Sequence, residues 1–175
     1  MNRKALIFCA SSVDIDPDFN TAARELVKAL AAKGYDIVSG GTIKGTMKVV
    51  ADAAHEAGTG NIGIVPRFME PLVHPHLTTT VWTDTMSERK EKMREGTSVA
   101  IALPGGIGTM DELFETFTLA KLEKYSGKVI VLNIKGFYDS LEELVDYFVE
   151  TGMLDSGSRR LISFPKSVEE LTQLI

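Results

Sequence analysis

The sequence predicts an α/β fold in which a mainly parallel sheet of about seven strands is doubly wound, with helices on both faces. Short apolar runs rich in Val, Ile and Leu alternate with helical segments, which is typical of strands buried on both faces. Two of the turns that connect an apolar run to a helical segment are rich in glycine. The 175 residues, 44% hydrophobic and 25% charged, suit one domain with one filled core, so we expect residues 1–175 to form a single domain.

Each apolar run is predicted to be a strand because it is short, continuous and bounded by residues that favour turns. The predicted strands are 5–10, 35–41 with its glycine turn, 61–66, 78–83, 98–104, 128–134 and 161–165.

The helices are predicted from apolar residues spaced three and four apart and from their ends. Pro17 lies near the start of the first helix and Gly34 at its end, while Gly58 ends the second. Three prolines make the stretch between Pro66 and the fourth strand too broken for a helix. The predicted helices are 17–34, 46–58, 86–96, 110–125, 140–152 and 167–175.

Charge and cysteine content bound the class of protein. The net charge of −5 argues weakly against a nucleic-acid-binding protein, because phosphate backbones are held by an excess of Lys and Arg. Cys9 is the only cysteine, so an internal disulfide is impossible and we expect a cytoplasmic location with Cys9 in the core. No segment approaches the ~20 apolar residues of a membrane span, so we expect no membrane partner.

The two glycine-rich turns are "SGGTIKGTM" (39–47) and "PGGIGTMDE" (104–112). Glycine either makes a tight turn there or lets backbone N–H groups at a helix start approach an anion. Because both turns are predicted at the same sheet edge, an anion or nucleotide site is favoured. The first turn has the G-x-x-x-x-G spacing of a P-loop, but Lys44 precedes the second glycine of that spacing instead of following it. In the second turn, Asp111 stands where a dinucleotide fingerprint has glycine. A mononucleotide or sugar phosphate is therefore predicted.

Hydroxyl side chains accompany these turns. Thr42 lies in the first turn and Thr109 in the second. Ser11 and Ser12 follow the first strand at the same edge, where they either bind a ligand or cap the next helix.

Carboxylates follow the second turn. Thr109 and Glu112 have the spacing of a capping box, which would explain Glu112 without any catalytic role. As an alternative, the helix dipole would keep Glu112 ionised beside a phosphate site, where it could stabilise positive charge on a sugar ring. We expect Glu115 on a neighbouring part of the same face and Asp111 in solvent.

The helix predicted over 86–96 carries the candidate cation. Met86, Arg89 and Met93 form one stripe, so Arg89 either turns inward and needs a carboxylate or phosphate partner, or extends to water. We expect Lys90, Lys92 and Arg94 on a solvated face, Lys90 being the least certain of the three. The loop histidines His74 and His76, like His55, lack a pattern of metal ligands, so no metal site is predicted.

The motif "PGGIGTMDE" resembles the PGGxGTxxE motif of the LOG ("Lonely guy") family of cytokinin riboside 5′-monophosphate phosphoribohydrolases. "MSERKEKM" resembles the family's M-x-E-R-K-x-x-M just upstream, and similar segments extend over nearly the whole chain. The resemblance implies a Rossmann-like homodimer that hydrolyses the N-glycosidic bond of adenosine 5′-monophosphates, commonly N6-substituted. It also implies that no metal or organic cofactor is needed and that neither nucleic acid nor membrane is a partner.

The resemblance implies a role for particular residues. Arg89 and Glu112 match the catalytic pair of the family. The expected substrate-binding residues, from the resemblance and the turns together, are Lys90, Gly105, Gly106, Ile107, Gly108, Thr109, Thr118, Ser11, Gly41 and Thr42.

The chain departs from the family pattern in its first turn, where "SGGTIKGTMK" replaces roughly GGGxxGLMG. Ser39 and Lys48 replace glycines and one residue is inserted. Ser87 stands where histidine is usual, and residues 66–80 match poorly.

Two other functions compete with the hydrolase. A carrier would bind a nucleotide or phosphorylated cofactor without cleaving it, as related molybdenum cofactor carriers do; Arg89 and Glu112 together favour the enzyme. A pyridoxal-phosphate lysine decarboxylase is disfavoured, because no lysine lies in a recognisable Schiff-base setting.

Overall fold

The computed structural model of the protein describes residues 3–175 and contains one seven-stranded sheet. The strands are β1 (Arg3–Phe8), β2 (Tyr35–Ser39), β3 (Asn61–Pro66), β4 (Thr79–Thr83), β5 (Val99–Ala102), β6 (Lys128–Val131) and β7 (Ile162–Ser163). Every neighbouring pair is parallel, in the order β4-β3-β2-β1-β5-β6-β7. The predicted doubly wound α/β fold is therefore confirmed.

Helices connect the strands, and six of them lie where the sequence predicts them. They are α1 (Pro17–Ala32), α2 (Gly45–Glu56), α3 (Met86–Arg94), α4 (Ile107–Lys121), α5 (Asp139–Glu150), α6 (Ser156–Arg159) and α7 (Val168–Gln173). Sequence reasoning missed α6, a single turn capped by the side chain of Asp155. It also missed the 3-10 turns at Ile134–Gly136 and at Arg67–Leu72, the latter within the stretch expected to be irregular.

The sheet separates two layers of core. Ile7 of β1 and Cys9, just after it, face the layer with α1, α2 and α7, whereas Leu6 and Phe8 face the layer with α3, α4 and α5. This alternation follows from the period of two along a strand buried on both faces. The expectation that Cys9 lies in the core is confirmed. The first turns of α3 and α4 consequently lie on the same side of the sheet.

Strand order places both glycine-rich turns beside the carboxyl end of β1. The chain moves from β1 to β2 on one side, while β5 lies on the other side of β1. The point where the winding reverses is therefore between β1 and β5, and ligands of doubly wound folds bind in the crevice at such a point. The turn after β2 and the turn after β5 flank this crevice.

Helix α4 begins three residues earlier than predicted. Gly106 is the residue before its first turn, no side chain caps it, and Thr109 lies inside the helix. The capping-box interpretation of Thr109 and Glu112 is therefore wrong. It failed because the glycines of "GGIG" can start a helix directly, which leaves the first-turn N–H groups without a side-chain acceptor.

Within residues 3–175 no helix combines the length and the apolar character needed to cross a lipid bilayer.

Candidate active site

A cavity of about 370 Å³ lies at the crevice between β1 and β5. It is lined by Ser11 and Ser12 after β1, by residues of both glycine-rich turns, and by Arg89 and Glu112. The 3-10 turn at Arg67–Leu72 closes one side with Met69 and Leu72. The cavity thus combines hydroxyl groups, a carboxylate, a guanidinium and an apolar wall.

Arg89 and Glu112 form a buried ion pair inside the cavity. Arg89 is 6% exposed and Glu112 is 9% exposed, and Arg89 Nη1 lies 3.4 Å from Glu112 Oε1. Arg89 also donates from Nε to the carbonyl of Ile64 at 2.9 Å and from Nη2 to the carbonyl of Gly40 at 3.3 Å. Of the two alternatives for Arg89, the structure shows the inward one, and the partners of Arg89 are a carboxylate and two backbone carbonyls.

The prediction that Met86, Arg89 and Met93 share one inward face of α3 is only partly correct. Met93 is buried as predicted, whereas Met86 is exposed at the start of α3. Arg89 and Met93 are the buried residues of this nine-residue helix.

Burial changes the acidity of Glu112. Loss of solvation raises the pKa of the carboxyl from 4.5 to about 7, although the nearby Arg89 favours the charged form. The expectation that the helix dipole keeps Glu112 firmly ionised is therefore wrong in direction, because desolvation outweighs it. A carboxyl that titrates near neutrality inside a cleft is typical of a catalytic group.

The second glycine-rich turn presents the start of α4 to the cavity. Gly106, Ile107, Gly108 and Thr109 line it, and no side chain caps this end of the helix. The first N–H groups of a helix lack intrahelical acceptors and carry partial positive charge, which suits an anion. A side chain on Gly105 would lie 2.1 Å from the Thr109 hydroxyl, so this glycine is needed for packing beneath the site.

The first turn is different, because most of its amides already donate within the protein. The N–H groups of Gly41, Ile43 and Thr46 donate to Ser39 Oγ, the Leu72 carbonyl and the Ala10 carbonyl respectively. Thr42 Oγ1 accepts from the N–H of Lys44. This turn therefore has fewer free amides to offer the cavity, which its residues Gly40, Thr42, Lys44 and Met47 line.

Lys90 does not line this cavity. Its ammonium contacts Asp111 at 2.9 Å and Glu115 at 2.5 Å, and Glu115 also pairs with Arg94. These pairs fasten α3 to α4 just behind the Arg89–Glu112 pair. The expectation that Lys90 and Arg94 lie on a solvated face is wrong, since their side chains are 15% and 10% exposed, whereas Lys92 is exposed as expected.

The remaining predicted residues divide into two groups. Ser11 lines the cavity, and since Asp16 caps α1, the alternative that Ser11 or Ser12 caps that helix is excluded. Gly41, with a φ of 67°, packs against Gly63 of β3 instead of facing the cavity. Thr118 lies about three turns along α4, in a shallow depression with Ile107 and Phe114. Sequence reasoning missed Met47, Met69, Leu72 and Lys44 as lining residues, and no motif marked them.

The loop histidines have a carboxylate partner that the sequence did not reveal. His74 is buried with its Nε2 3.1 Å from Asp52 of α2, and Lys48 also donates to Asp52. The backbone N–H of His76 donates to His74 Nδ1, so the proton of neutral His74 is on Nε2 and points at Asp52. Burial lowers the pKa of His74. With both ring nitrogens engaged, the contact fastens the loop to α2 and does not favour metal ligation.

Comparisons with known proteins agree with this geometry. Residues 47–175 match the family model described as "Possible lysine decarboxylase". The chain is 34% identical over 175 residues to the cytokinin riboside 5′-monophosphate phosphoribohydrolase LOG2 of Arabidopsis thaliana, covering 99% of this chain and 82% of that protein. It is 35% identical to the probable cytokinin riboside 5′-monophosphate phosphoribohydrolase LOGL3 of Oryza sativa subsp. japonica, covering 97% and 81%.

A solved structure resembles the fold. The molybdenum cofactor binding protein of Rippkaea orientalis superposes with a TM-score of 0.76 at 22% identity, covering 99% of this chain and 95% of that one. At this identity the likeness shows the fold alone.

Proposed function

The chain belongs to the LOG family of cytokinin riboside 5′-monophosphate phosphoribohydrolases, and from that premise we propose that it hydrolyses the N-glycosidic bond of an adenosine 5′-monophosphate, with or without an N6 substituent. The products are the free base and ribose 5-phosphate, as for an N-glycosidase of class EC 3.2.2. The buried Arg89–Glu112 pair inside the cavity is the observation that carries this proposal.

The chemistry follows from the position of Glu112. In the reaction the C1′–N9 bond breaks with its electron pair moving to the base, and the oxygen of water bonds to C1′. The proton that this water loses balances the proton that the base gains at nitrogen. Positive charge grows on the ribose ring as the bond breaks, and an ionised carboxylate facing the ring stabilises it. Glu112 lines the cavity and is desolvated, so its charge acts with little screening by water.

Arg89 acts through Glu112. Its contacts with the Ile64 and Gly40 carbonyls fix the guanidinium at the ends of β3 and β2. From there it orients the carboxylate of Glu112 and keeps the pKa of that group lower than burial alone would set it. Arg89 thereby holds a usable fraction of Glu112 ionised at neutral pH.

The phosphate end of the substrate is proposed to bind at the start of α4. Residues 107–109, whose N–H groups begin the helix without a side-chain cap, line the cavity together with Ser11. The wall formed by Met47, Met69 and Leu72 offers an apolar surface for the base. This assigns the polar side of the cavity to ribose phosphate and the apolar side to the purine.

The test is incubation of the purified protein with AMP and with a panel of other nucleoside 5′-monophosphates, followed by chromatography for free base. We expect adenine and ribose 5-phosphate in equal amounts, with adenosine a poorer substrate because it lacks the phosphate. Tight binding of a nucleotide without release of any base would instead support the carrier function that the fold of the molybdenum cofactor proteins suggests.

A homodimer is proposed through the outer face of α4. Ile107 is 86% exposed, and Phe114 follows it two turns along the same helix as a further exposed apolar side chain. Isolated exposed apolar residues are ordinary, but a stripe on one helix marks an interaction surface. Thr118 lies on this face outside the cavity of its own chain, so its implied contact with nucleotide would have to be made across the two-fold axis.

Light scattering tests the dimer, with an expected mass of twice the 19.1 kDa of one chain. Phe114→Asp is expected to dissociate it, because a carboxylate cannot be buried unpaired at an apolar interface. Tyr147→Asp changes an equally apolar, exposed position on α5 and should leave the mass unchanged. A wild-type mass of one chain would overturn this part of the proposal.

The proposed location is the cytoplasm, where the free thiol of Cys9 would stay reduced.

A further inference from the structure

Two basic side chains line the cavity, and only one of them has partners. Arg89 donates to the carbonyls of Ile64 and Gly40 and contacts Glu112, so its donors are directed into the protein. Lys44 lines the same cavity, is exposed, and has no ion pair or hydrogen bond from its ammonium within residues 3–175. A phosphate monoester carries close to two negative charges near neutral pH, which helix amides alone neutralise only partly.

Lys44 owes its place to the shape of the first turn. It is the residue before α2, in extended conformation, and it follows Thr42, whose hydroxyl accepts its N–H. Gly45, the next residue, has a φ of 49° and packs directly on the backbone of 10–12. This contact joins the turn to the Ser11–Ser12 segment, so Lys44 stands beside the hydroxyls that line the same cavity.

We infer that Lys44 is the cation that binds the 5′-phosphate of the substrate, opposite the amides of 107–109. This inference rests on the proposed function. It divides the phosphate site between the two glycine-rich turns: the second turn supplies backbone N–H groups, and the first, whose amides already have acceptors, supplies a charged side chain. Lys90 pairs with Asp111 and Glu115, so it connects α3 to α4 and does not contact the phosphate.

The test is Lys44→Met, which keeps the length of the side chain and removes its charge. Loss of a charge-assisted contact made equally in the bound and transition states raises KM for AMP by about tenfold or more and leaves kcat nearly unchanged. Inhibition by ribose 5-phosphate weakens by the same factor, whereas inhibition by adenine does not change. Lys44→Arg restores most of the affinity, because it returns the positive charge.

The matched control is Lys48→Met, one turn further along α2. Lys48 pairs with Asp52 and does not line the cavity, so its removal should leave KM for AMP unchanged. An unchanged KM in Lys44→Met, or an equal loss of ribose 5-phosphate and adenine binding, would overturn the inference.

Calorimetry separates this inference from the proposed function. If the protein binds AMP without releasing adenine, the hydrolase proposal fails, yet Lys44→Met should still weaken AMP binding about tenfold. If adenine is released and Lys44→Met binds AMP as tightly as the wild type, the hydrolase proposal stands and the role of Lys44 is excluded.

Discussion

Glu112→Gln is expected to lower kcat for AMP hydrolysis by about 10²- to 10³-fold, because it removes the negative charge that we propose faces the ribose inside the cavity. Gln keeps the shape of the side chain, and its oxygen can still accept from Arg89, so the fold and the affinity for nucleotide should be largely retained. The measurement is single-turnover release of adenine, with AMP affinity determined separately by calorimetry.

Glu115→Gln is the matched control on the same helix. Glu115 pairs with Lys90 and Arg94 and does not line the cavity. Losing a partly exposed ion pair has a small effect, so kcat should stay within about threefold of the wild type. Near-normal turnover in Glu112→Gln, or an equal loss in both variants, would remove Glu112 from the mechanism.

The pH profile gives an independent signature of Glu112. Since the ionised form acts, kcat/KM should fall as pH drops through an apparent pKa of about 7, and this limb should vanish in Glu112→Gln.

The free energy of unfolding should change with pH in the direction opposite to kcat/KM. The folded protein binds the proton more tightly than the unfolded chain does, so the contribution of Glu112 to stability decreases as pH rises from 4.5 to about 7.

Alternating apolar runs and glycine positions predict most of this architecture. Each predicted strand is present in the structure, because a short run of Val, Ile and Leu is stable as a strand that is buried on both faces. The spacing of Arg89 to Met86 and Met93 leaves two alternatives, an inward turn or extension to water, and the inward one is observed because the guanidinium has partners there. These features depend on local pattern, which a sequence displays directly.

Other features depend on contacts between distant segments. The carboxylate of Asp52 meets His74 only because the loop after β3 folds back onto α2. The acidity of Glu112 results from desolvation by surrounding elements, which a local dipole argument misses. Lys44 lines the cavity because Gly45 packs on the backbone of 10–12, a contact that no motif in either segment indicates.

Arg89→Met should be as damaging to catalysis as Glu112→Gln, but for a different reason. Without the guanidinium, the pKa of Glu112 rises above its value of about 7, so less of the catalytic carboxylate is ionised at neutral pH. We expect kcat to fall by about 10²-fold or more at pH 7 and the acidic limb of the profile to move to higher pH. The change is measured from the pH dependence of adenine release.

The control for Arg89→Met is Arg94→Met, which removes a comparably buried cation from the same helix. Arg94 pairs with Glu115, does not line the cavity and lowers the pKa of Glu112 less than Arg89 does, so this variant should lose some stability while its pH profile moves only slightly.

Stability at two pH values separates the charge of Arg89 from its packing. At about pH 5.5 Glu112 is protonated in the wild type and in Arg89→Met, so the variant loses only the packing and carbonyl contacts of Arg89. At about pH 8 the wild type has ionised Glu112 beside a cation. The variant must instead keep Glu112 protonated or bury its charge unpaired. This lowers stability by about 1.4 kcal/mol for each unit by which the pKa of Glu112 rises further. The drop in Tm should therefore be larger at the higher pH, and adding Glu112→Gln to Arg89→Met should abolish that difference. A drop in Tm that is equal at both pH values would show that Arg89 supports the fold through its carbonyl contacts alone and does not set the charge of Glu112.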